Sequence, residues 1–528
     1  MKILQNYWAK YPLQTILIAG FLFRFIAAIF SGGFGMHDDH FLIIEASQSW
    51  VDGTDYNNWL PQNQANPKPE GHNFFYVGLH YLFFRFVQFL GLTDVWWKMF
   101  LVRLIHAIFS MLTVFYGYKI SQKLYDDKIA KNIGLILSLV WFMPFLSVRN
   151  LVEVVSIPIL MGGIWYILKN EGKKLIHYFV GGLILGMSFS IRYQCLLFVG
   201  GVGLALLLQK KWREMFLCAF GVLISILLLQ GIIDFFIWGK PFVELWAYII
   251  YNIEARNSYG TDNWLMYITI LSVIFFLPLG FFLMISFFRN WRKNLIIFLP
   301  TFIFWAFHTV FPNKQERFIF SVIPFYLILG FGEWILWTRK SNFWLSRKQL
   351  IFTTLAIFWI LNSVLLPIFS VSYSKRARVE SMIYLSKYKF TSFLTEDSNS
   401  QSANMLPRFY LNGQWIPQYD LIKPNKNLDS AALLKCDEIS SQVRTIFSVD
   451  FFKTRQTDEL PDFVLFIGEK NLANRVEKIK KIFPNLKEET IIEPSLVDSW
   501  LYQLNSVNKN LPIYIYKTQI RNLQKNFR

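Results

Sequence analysis

Up to about Ser372 the chain alternates long apolar runs with short polar breaks, and beyond that point the runs stop. A membrane-spanning helix takes roughly 20 mostly apolar residues, so the pattern predicts about eleven spans. They fall at about 12–33, 99–119, 132–149, 151–168, 176–191, 195–209, 214–236, 264–288, 294–311, 318–338 and 349–371. The first run follows Lys2 and Lys10 but is long, contains Arg24 and lacks a small-x-small cleavage site before His37. Those features fit an uncleaved span rather than a signal peptide. The fold class implied is a polytopic α-helical membrane protein.

Basic residues mark alternate connections: Lys119, Lys123, Lys128 and Lys131; Lys169, Lys173 and Lys174; Lys210, Lys211 and Arg213; Arg289, Arg292 and Lys293; Arg339, Lys340, Arg347 and Lys348. By the positive-inside rule that side is cytoplasmic, which puts the N-terminus inside and everything from Ser372 outside. The assignment requires that the apolar segment 73–91 not cross, because one more crossing would move every later basic loop to the other side. Residues 34–98 are therefore expected to form one long outer loop with an interfacial or re-entrant helix, helped by Arg85 and Gln88.

The tail of about 155 residues is polar. Pro461 to Gly468 reads as a buried strand and turn, Ala473 to Ile482 as a Lys-rich helix, and Pro512 to Lys517 as another strand. The Ser/Asn/Gln-rich stretch 394–420 is expected to be a loop. Two domains follow: a membrane domain, 1–371, and a small extracytoplasmic α/β domain, 372–528.

Composition agrees with the hydropathy pattern. With 54% hydrophobic and 17% charged residues, the chain is too apolar for a soluble protein. A net charge of +18 would suit nucleic acid, but the cations sit in the short connections, so they are topology and no nucleic-acid partner is expected. Cys195, Cys218 and Cys436 offer neither a disulfide framework nor zinc spacing.

An ionisable residue at membrane depth costs about 2.5–3.5 kcal/mol on insertion scales, so polar clusters outside the cytoplasmic loops need a reason. Three lie on the expected outer side. The first is Gly35-Met-His-Asp-Asp-His-Phe41 followed by Glu45. One of its carboxylates can serve as a general base; the plain alternative is a solvated loop start with a helix-capping Asp. His37 and His40 beside two aspartates also have the residue types of a metal site, but His-x-x-His outside a known scaffold is a weak pattern, and no cofactor is expected. The second cluster is Asn313-Lys-Gln-Glu-Arg-Phe318, where Arg317 offers a planar fork for a phosphate and Lys314 a point charge. Arg149 and Arg192, near the outer ends of their spans, are candidates to complete that cationic pocket, with snorkelling as the alternative. The third holds Asp234, Lys240, Tyr251, Asn252, Glu254, Arg256 and Ser258-Tyr-Gly-Thr-Asp-Asn-Trp264. Mixed aromatic and amide groups of this kind suit a sugar ring, and an aromatic belt is the competing reading.

In this order the segments resemble the GT-C superfamily, and within it the glycosyltransferase family 22 mannosyltransferases of GPI and lipid-linked oligosaccharide assembly. Met36-His-Asp-Asp-His-Phe41 with Glu45 stands where that family has His-Pro-Asp-Glu, an aromatic residue and a Glu. Asp38 falls on its Asp and Asp39 on its Glu. Asn313 to Phe318 resembles its His-Lys-Glu-x-Arg-Phe motif, keeping Lys314, Arg317 and Phe318. Asp234 to Gly239, Tyr251-Asn252 and Tyr259-Gly-Thr-Asp-Asn-Trp264 resemble a third family stretch. The motif residues replaced are those at Met36, His37, Asp39, Asn313 and Gln315, and the tail has no counterpart.

The resemblance implies an inverting glycosyltransferase, with a polyprenyl-phosphate sugar as donor and a glycan or lipid-linked acceptor. Asp38 and Asp39 would carry the catalysis. Arg317, Lys314, Arg192 and Arg149 would hold the donor phosphate, and His37, His40, Glu45, Asp234, Tyr259, Asp262 and Trp264 the substrates. The compact loops suggest a bacterial homologue in the inner membrane. The rival reading is a transporter or flippase of a lipid-linked glycan, which would place charges near the bilayer midplane and show an internal repeat; a third is a non-catalytic membrane scaffold.

Overall fold

A computed structural model describes residues 7–64, 66–254, 263–401, 404–424, 443–505 and 509–525. Every apolar run expected to span is helical. Six of these helices are long and apolar enough to cross a membrane: Pro12–Phe30, Val95–Leu124, Val152–Lys169, Trp212–Trp238, Glu316–Lys340 and Lys348–Ser370. Shorter apolar helices occupy Ile176–Ile191, Cys195–Leu208, Leu279–Phe288 and Leu295–Val310. Two expected spans are subdivided. The run 132–149 becomes Asp127–Leu139 and Met143–Ser147, and 264–288 becomes Met266–Val273 and Leu279–Phe288. The second break falls at Pro278, which has no N–H to continue the ladder. Segment 73–91 is helical over Phe74–Phe89, 16 residues.

Arg24, in the middle of the first helix, is fully buried. Its Nε donates to Ser110 Oγ (3.0 Å), Nη1 to Gly20 O (3.1 Å) and Ser138 O (2.8 Å), and Nη2 to Leu137 O (3.2 Å). A buried guanidinium is tolerated only when its donors are matched, and here the matching ties Pro12–Phe30 to the Val95–Leu124 and Asp127–Leu139 helices.

The tail folds around one six-stranded sheet, with β1 Phe393–Asp397, β2 Gln418–Ile422, β3 Val443–Ile446, β4 Phe463–Ile467, β5 Lys487–Ile492 and β6 Ile513–Lys517. The order is β3-β2-β1-β4-β6-β5, parallel across β3, β2, β1 and β4 and antiparallel at β6 and β5. β4, β6 and the Leu472–Lys480 helix match the expected strands and helix, and Leu394, Val464, Phe466, Ile479 and Tyr514 share the core.

The stretch 394–420 is a correction. It holds most of β1, a 3-10 turn at Arg408–Leu411 and the start of β2. Much of its polar composition outside 398–401 belongs to buried residues that are hydrogen-bonded within the fold. Thr395 Oγ1 donates to Asp420 (2.5 Å), Gln418 Nε2 to Thr395 Oγ1 (3.0 Å), and Asn404 Nδ2 to Asp397 (2.7 Å). Arg475 sits 3.2 Å from Glu396.

Burial pushes the carboxyls of Glu396, Asp397 and Asp420 up, Asp420 to about 6 from 3.8. A raised acid contributes stability that is present below its unfolded value and lost as pH rises through its folded value. Protonating Asp420 between pH 7 and pH 4 is thus worth up to about 3 kcal/mol to the sheet. Hydrogen exchange at β2 in detergent-solubilised protein is expected to slow as pH falls through about 6, after correction for intrinsic exchange. In Asp420→Asn most of that slowing should disappear.

The chain divides into two compact units. The first comprises residues 1–31, 68–76 and 100–371; the second comprises 32–67, 77–99 and 372–528. One boundary falls between Val371 and Ser372, and most of the first long loop belongs with the tail.

Candidate functional site

In the first unit, the cationic cluster is organised by Glu153, a residue the motif reading did not single out. Glu153 lies in the first turn of Val152–Lys169, where the helix dipole favours an anion. Its Oε1 is 3.6 Å from Arg317 Nη1 and 4.0 Å from Arg192 Nη2. Arg192 caps the C-terminus of Ile176–Ile191, and its Nη1 donates to Ser321 Oγ (2.7 Å). Ser321 Oγ in turn donates to Glu153 O (2.9 Å) and lies 3.0 Å from Ser156 Oγ. The guanidinium of Arg192 is 5.3 Å from the Phe304 ring centroid, and that of Arg317 is 5.7 Å from Phe318. Arg317 Nε donates to Gln315 Oε1 (2.9 Å), and Lys314 Nζ to Phe311 O (2.8 Å).

All four charged residues are buried. Among the described residues, Arg192 Nε and Nη2 and Glu153 Oε2 have no hydrogen-bond partner. Two guanidiniums gathered around one carboxylate in a low-dielectric setting, with Lys314 two and three residues from Glu316 and Arg317 in sequence, favour an added anion. The run 151–168 contains one carboxylate, and an ionisable residue inside a span is the pattern that would have found Glu153.

Arg149, expected in the same pocket, is committed elsewhere. Its Nη1 and Nη2 donate to Ser31 O (2.7 Å) and Oγ (3.0 Å), and it stacks over Phe145, holding the end of the first helix. Asp234 is likewise structural. Gln230 Nε2 donates to both its oxygens (2.8 and 2.8 Å), and the amide of Glu244 to Oδ2 (3.1 Å). The Glu244 carboxylate accepts from Gly71 N (2.7 Å) and His72 N (2.9 Å), and burial pushes it up to about 7. Gly71 has φ +79, and a Cβ there would lie 2.9 Å from Tyr248 Cα, so both conformation and space require glycine. Trp264 is exposed, while Arg256, Ser258, Tyr259 and Asp262 lie outside the described residues.

In the second unit, the aspartate motif is folded against the tail. Gly33, at φ +72, bridges to Ser374, whose carbonyl oxygen leaves no room for a Cβ. Lys375 Nζ donates to Gly35 O (2.5 Å) and covers the Phe34 ring. The turn His37–Asp39 follows. Asp39 bends back on its own backbone, its two oxygens accepting from Met36 N (2.8 Å) and Gly35 N (3.0 Å). This buried capping carboxylate is not placed as a base. Asp38 is half-buried beside it. The ring of His37 stacks on Phe41 at 4.5 Å; desolvation lowers its pKa, with Lys375 adding to the effect and Asp38 opposing it.

His40 and Glu45, expected to meet substrate, are fully buried structural partners. His40 Nε2 is 3.2 Å from Glu45 Oε1, and its ring is stacked on Phe34 and Tyr410. Glu45 also accepts from Tyr56 OH (2.5 Å) and from Phe409 N (2.9 Å). Three partners on one buried carboxylate lock the first loop to the Arg408–Leu411 turn. Glu45→Ala is expected to cost about 3–5 kcal/mol, since it strands a buried imidazole, hydroxyl and amide. Thermal unfolding of the detergent-solubilised protein would register this as a lower midpoint. Among the described residues, no three His, Cys, Asp or Glu side chains gather as a metal site.

Residues 15–406 match the Alg9-like mannosyltransferase family. Alpha-1,2-mannosyltransferase ALG9 of Mus musculus is 24% identical over 214 residues, 37% of this chain and 34% of that protein. The Schizosaccharomyces pombe relative is 25% identical over 172 residues, 29% of each chain. The matched stretch thus spans about a third of the curated relatives' length. Among solved structures, ArnT from Cupriavidus metallidurans bound to undecaprenyl phosphate superposes with a TM-score of 0.62 at 13% identity, covering 98% of this chain and 99% of that one. That likeness shows a common GT-C fold. With the family match covering most of its length, the chain belongs to the Alg9-like mannosyltransferase family.

Proposed function

We propose that the protein is an integral membrane glycosyltransferase that moves a mannose-type hexose from a polyprenyl-phosphate donor to a glycan or lipid-linked acceptor, with inversion, on the non-cytoplasmic face. The observation carrying this reading is the buried pair Arg192 and Arg317 around Glu153, with Arg192 donors lacking a partner among the described residues. A phosphodiester gains negative charge as its bond to the anomeric carbon breaks, and preformed donors at that oxygen lower the barrier. Lys314 adds a third cation.

Asp38 takes the proton of the acceptor hydroxyl as that oxygen attacks the anomeric carbon from the opposite face. A lipid donor carries its sugar only as deep as the interface, so this reading requires both the base and the cations to act at that depth. The undecaprenyl phosphate bound by ArnT belongs to the carrier class proposed. His37 and the exposed Trp264 ring are the described groups offered to the sugars, and the family resemblance assigns Tyr259 and Asp262 the same role. The topology that goes with this reading has eleven crossings, the N-terminus in the cytoplasm and the tail outside.

Purified protein given radiolabelled polyprenyl-phosphate mannose is expected to release the lipid phosphate and label an acceptor, and to leave GDP-mannose untouched. Movement of a lipid-linked glycan between leaflets without its consumption would instead make the protein a transporter.

A further inference from the structure

A separate polar cavity of about 150 Å³ lies within the second unit. Its wall comes from three stretches of chain: Gln48 and Asp52 of the first loop, Thr93 and Lys98 at the start of the Val95–Leu124 helix, and Phe409 and Asn412 of the tail. A hydrogen-bonded line runs along it. Trp415 Nε1 donates to Asp52 Oδ2 (2.9 Å), Gln48 Nε2 to Asp52 Oδ1 (2.9 Å), and Lys98 Nζ to Gln48 Oε1 (3.1 Å). Lys98 is 6% exposed. Of the three N–H donors on its ammonium, one is matched by Gln48 among the described residues, which leaves two for whatever fills the cavity. At 30 residues its helix is roughly 45 Å long, well beyond the ~30 Å apolar core, so its first turns need not lie in lipid.

The chemistry of the wall selects the ligand. Lys98 and Asp52 cancel, so an anion would gain from one and be repelled by the other. The remaining side chains are amides and a hydroxyl, able to donate and accept, beside two apolar groups, the Phe409 ring and Val95. That combination suits a neutral polyhydroxylated ring with polar edges and an apolar face. A cavity of about 150 Å³ is large enough for a six-membered ring. Asn412 and Gly413 are both in the left-handed region (φ 57 and 83), which sets the Asn412 amide at the rim. Phe409, Asn412 and Gly413 lie beyond residue 406, where the family match ends.

We infer that the cavity is a carbohydrate subsite that binds one neutral pyranose unit of the acceptor glycan. Only the word acceptor rests on the glycosyltransferase reading; the binding chemistry stands on the wall itself.

The test is saturation-transfer NMR on the full-length protein in detergent, with methyl α-D-mannopyranoside and inorganic phosphate as probes and no donor present. Wild-type protein is expected to bind the glycoside saturably in the millimolar range. Lys98→Met should weaken this by about tenfold or more, and the exposed-rim variants Thr93→Val and Asn412→Gly by about threefold. Arg192→Lys should retain it. Glycoside binding that ignores all three cavity variants, or that is lost in Arg192→Lys, overturns the inference, as does phosphate binding that depends on Lys98. Should Lys98→Met fail to fold, judged by its melting curve, the two rim variants decide. Because no turnover is read, failure here leaves the transfer assay standing. An inactive protein that still binds the glycoside through Lys98 would sink the enzyme reading and keep the site.

Discussion

Replacing Asp38 by Asn is expected to lower transfer from a lipid-phosphate sugar by about 10²–10⁴-fold, with donor binding nearly unchanged. An acceptor hydroxyl is a poor nucleophile until its proton has somewhere to go, and the amide keeps the shape of the carboxylate while losing its basicity. The neighbouring aspartate gives the control. Both oxygens of Asp39 accept backbone N–H groups at the start of the motif, so Asp39→Asn should lower the melting temperature. Its kcat per folded molecule should fall much less than that of Asp38→Asn. Single-turnover kinetics in membranes separates the two; near-full turnover by Asp38→Asn would remove it from the mechanism.

Arg192→Lys and Arg317→Lys are expected to weaken donor binding by roughly 10- to 100-fold each while keeping the charge. A planar fork delivers two parallel donors to a phosphate, whereas an ammonium is a point charge on a flexible stem. The double variant should fall short of the product of the single effects, because both guanidiniums border the same Glu153 oxygen and are coupled through it. Removing that carboxylate tests the same electrostatics from the other side. Glu153→Gln takes away the internal counter-ion, so the cluster should bind inorganic phosphate more tightly while the protein melts at a lower temperature. Titration of phosphate against the wild type and the three single variants reads these effects, and equal affinities throughout would argue against phosphate gripping.

The helices were legible because hydropathy reports them directly: a run of apolar residues has one stable solution in lipid. The breaks inside 132–149 and 264–288 were not, because they depend on local backbone chemistry within a continuous apolar run. The loop expected at 394–420 failed for a related reason. Thr395, Glu396, Asp397, Gln418 and Asp420 look solvated one at a time and are buried because each finds a partner in the fold: Thr395, Gln418 and Asp420 in one another, Asp397 in Asn404 and Glu396 in Arg475. No linear pattern contains that pairing.

At the candidate site, motif order singles out segments but not which of their side chains are tied up in the fold. Asp39, His40 and Glu45 share the motif with Asp38, yet the structure uses them to cap a turn and to fasten the loop to the tail. Arg149 and Asp234 likewise proved to be fasteners. Glu153 belongs to none of the cationic motifs, and its importance comes from lying between two arginines 39 and 164 residues away in the chain.

The proposal stands or falls on whether the Asp38 motif and the arginine cluster work on the same side of the membrane and serve one donor. Single cysteines in place of His37 and Glu316, each exposed and adjacent to a key residue, can be probed with a membrane-impermeant maleimide in intact cells, with Cys436 replaced and the buried Cys195 and Cys218 left in place. Labelling of both positions from the outer face, slowed in each case by added polyprenyl-phosphate sugar, is the predicted result. Reaction of one position from outside and the other only after permeabilisation would separate base from phosphate site and contradict the mechanism.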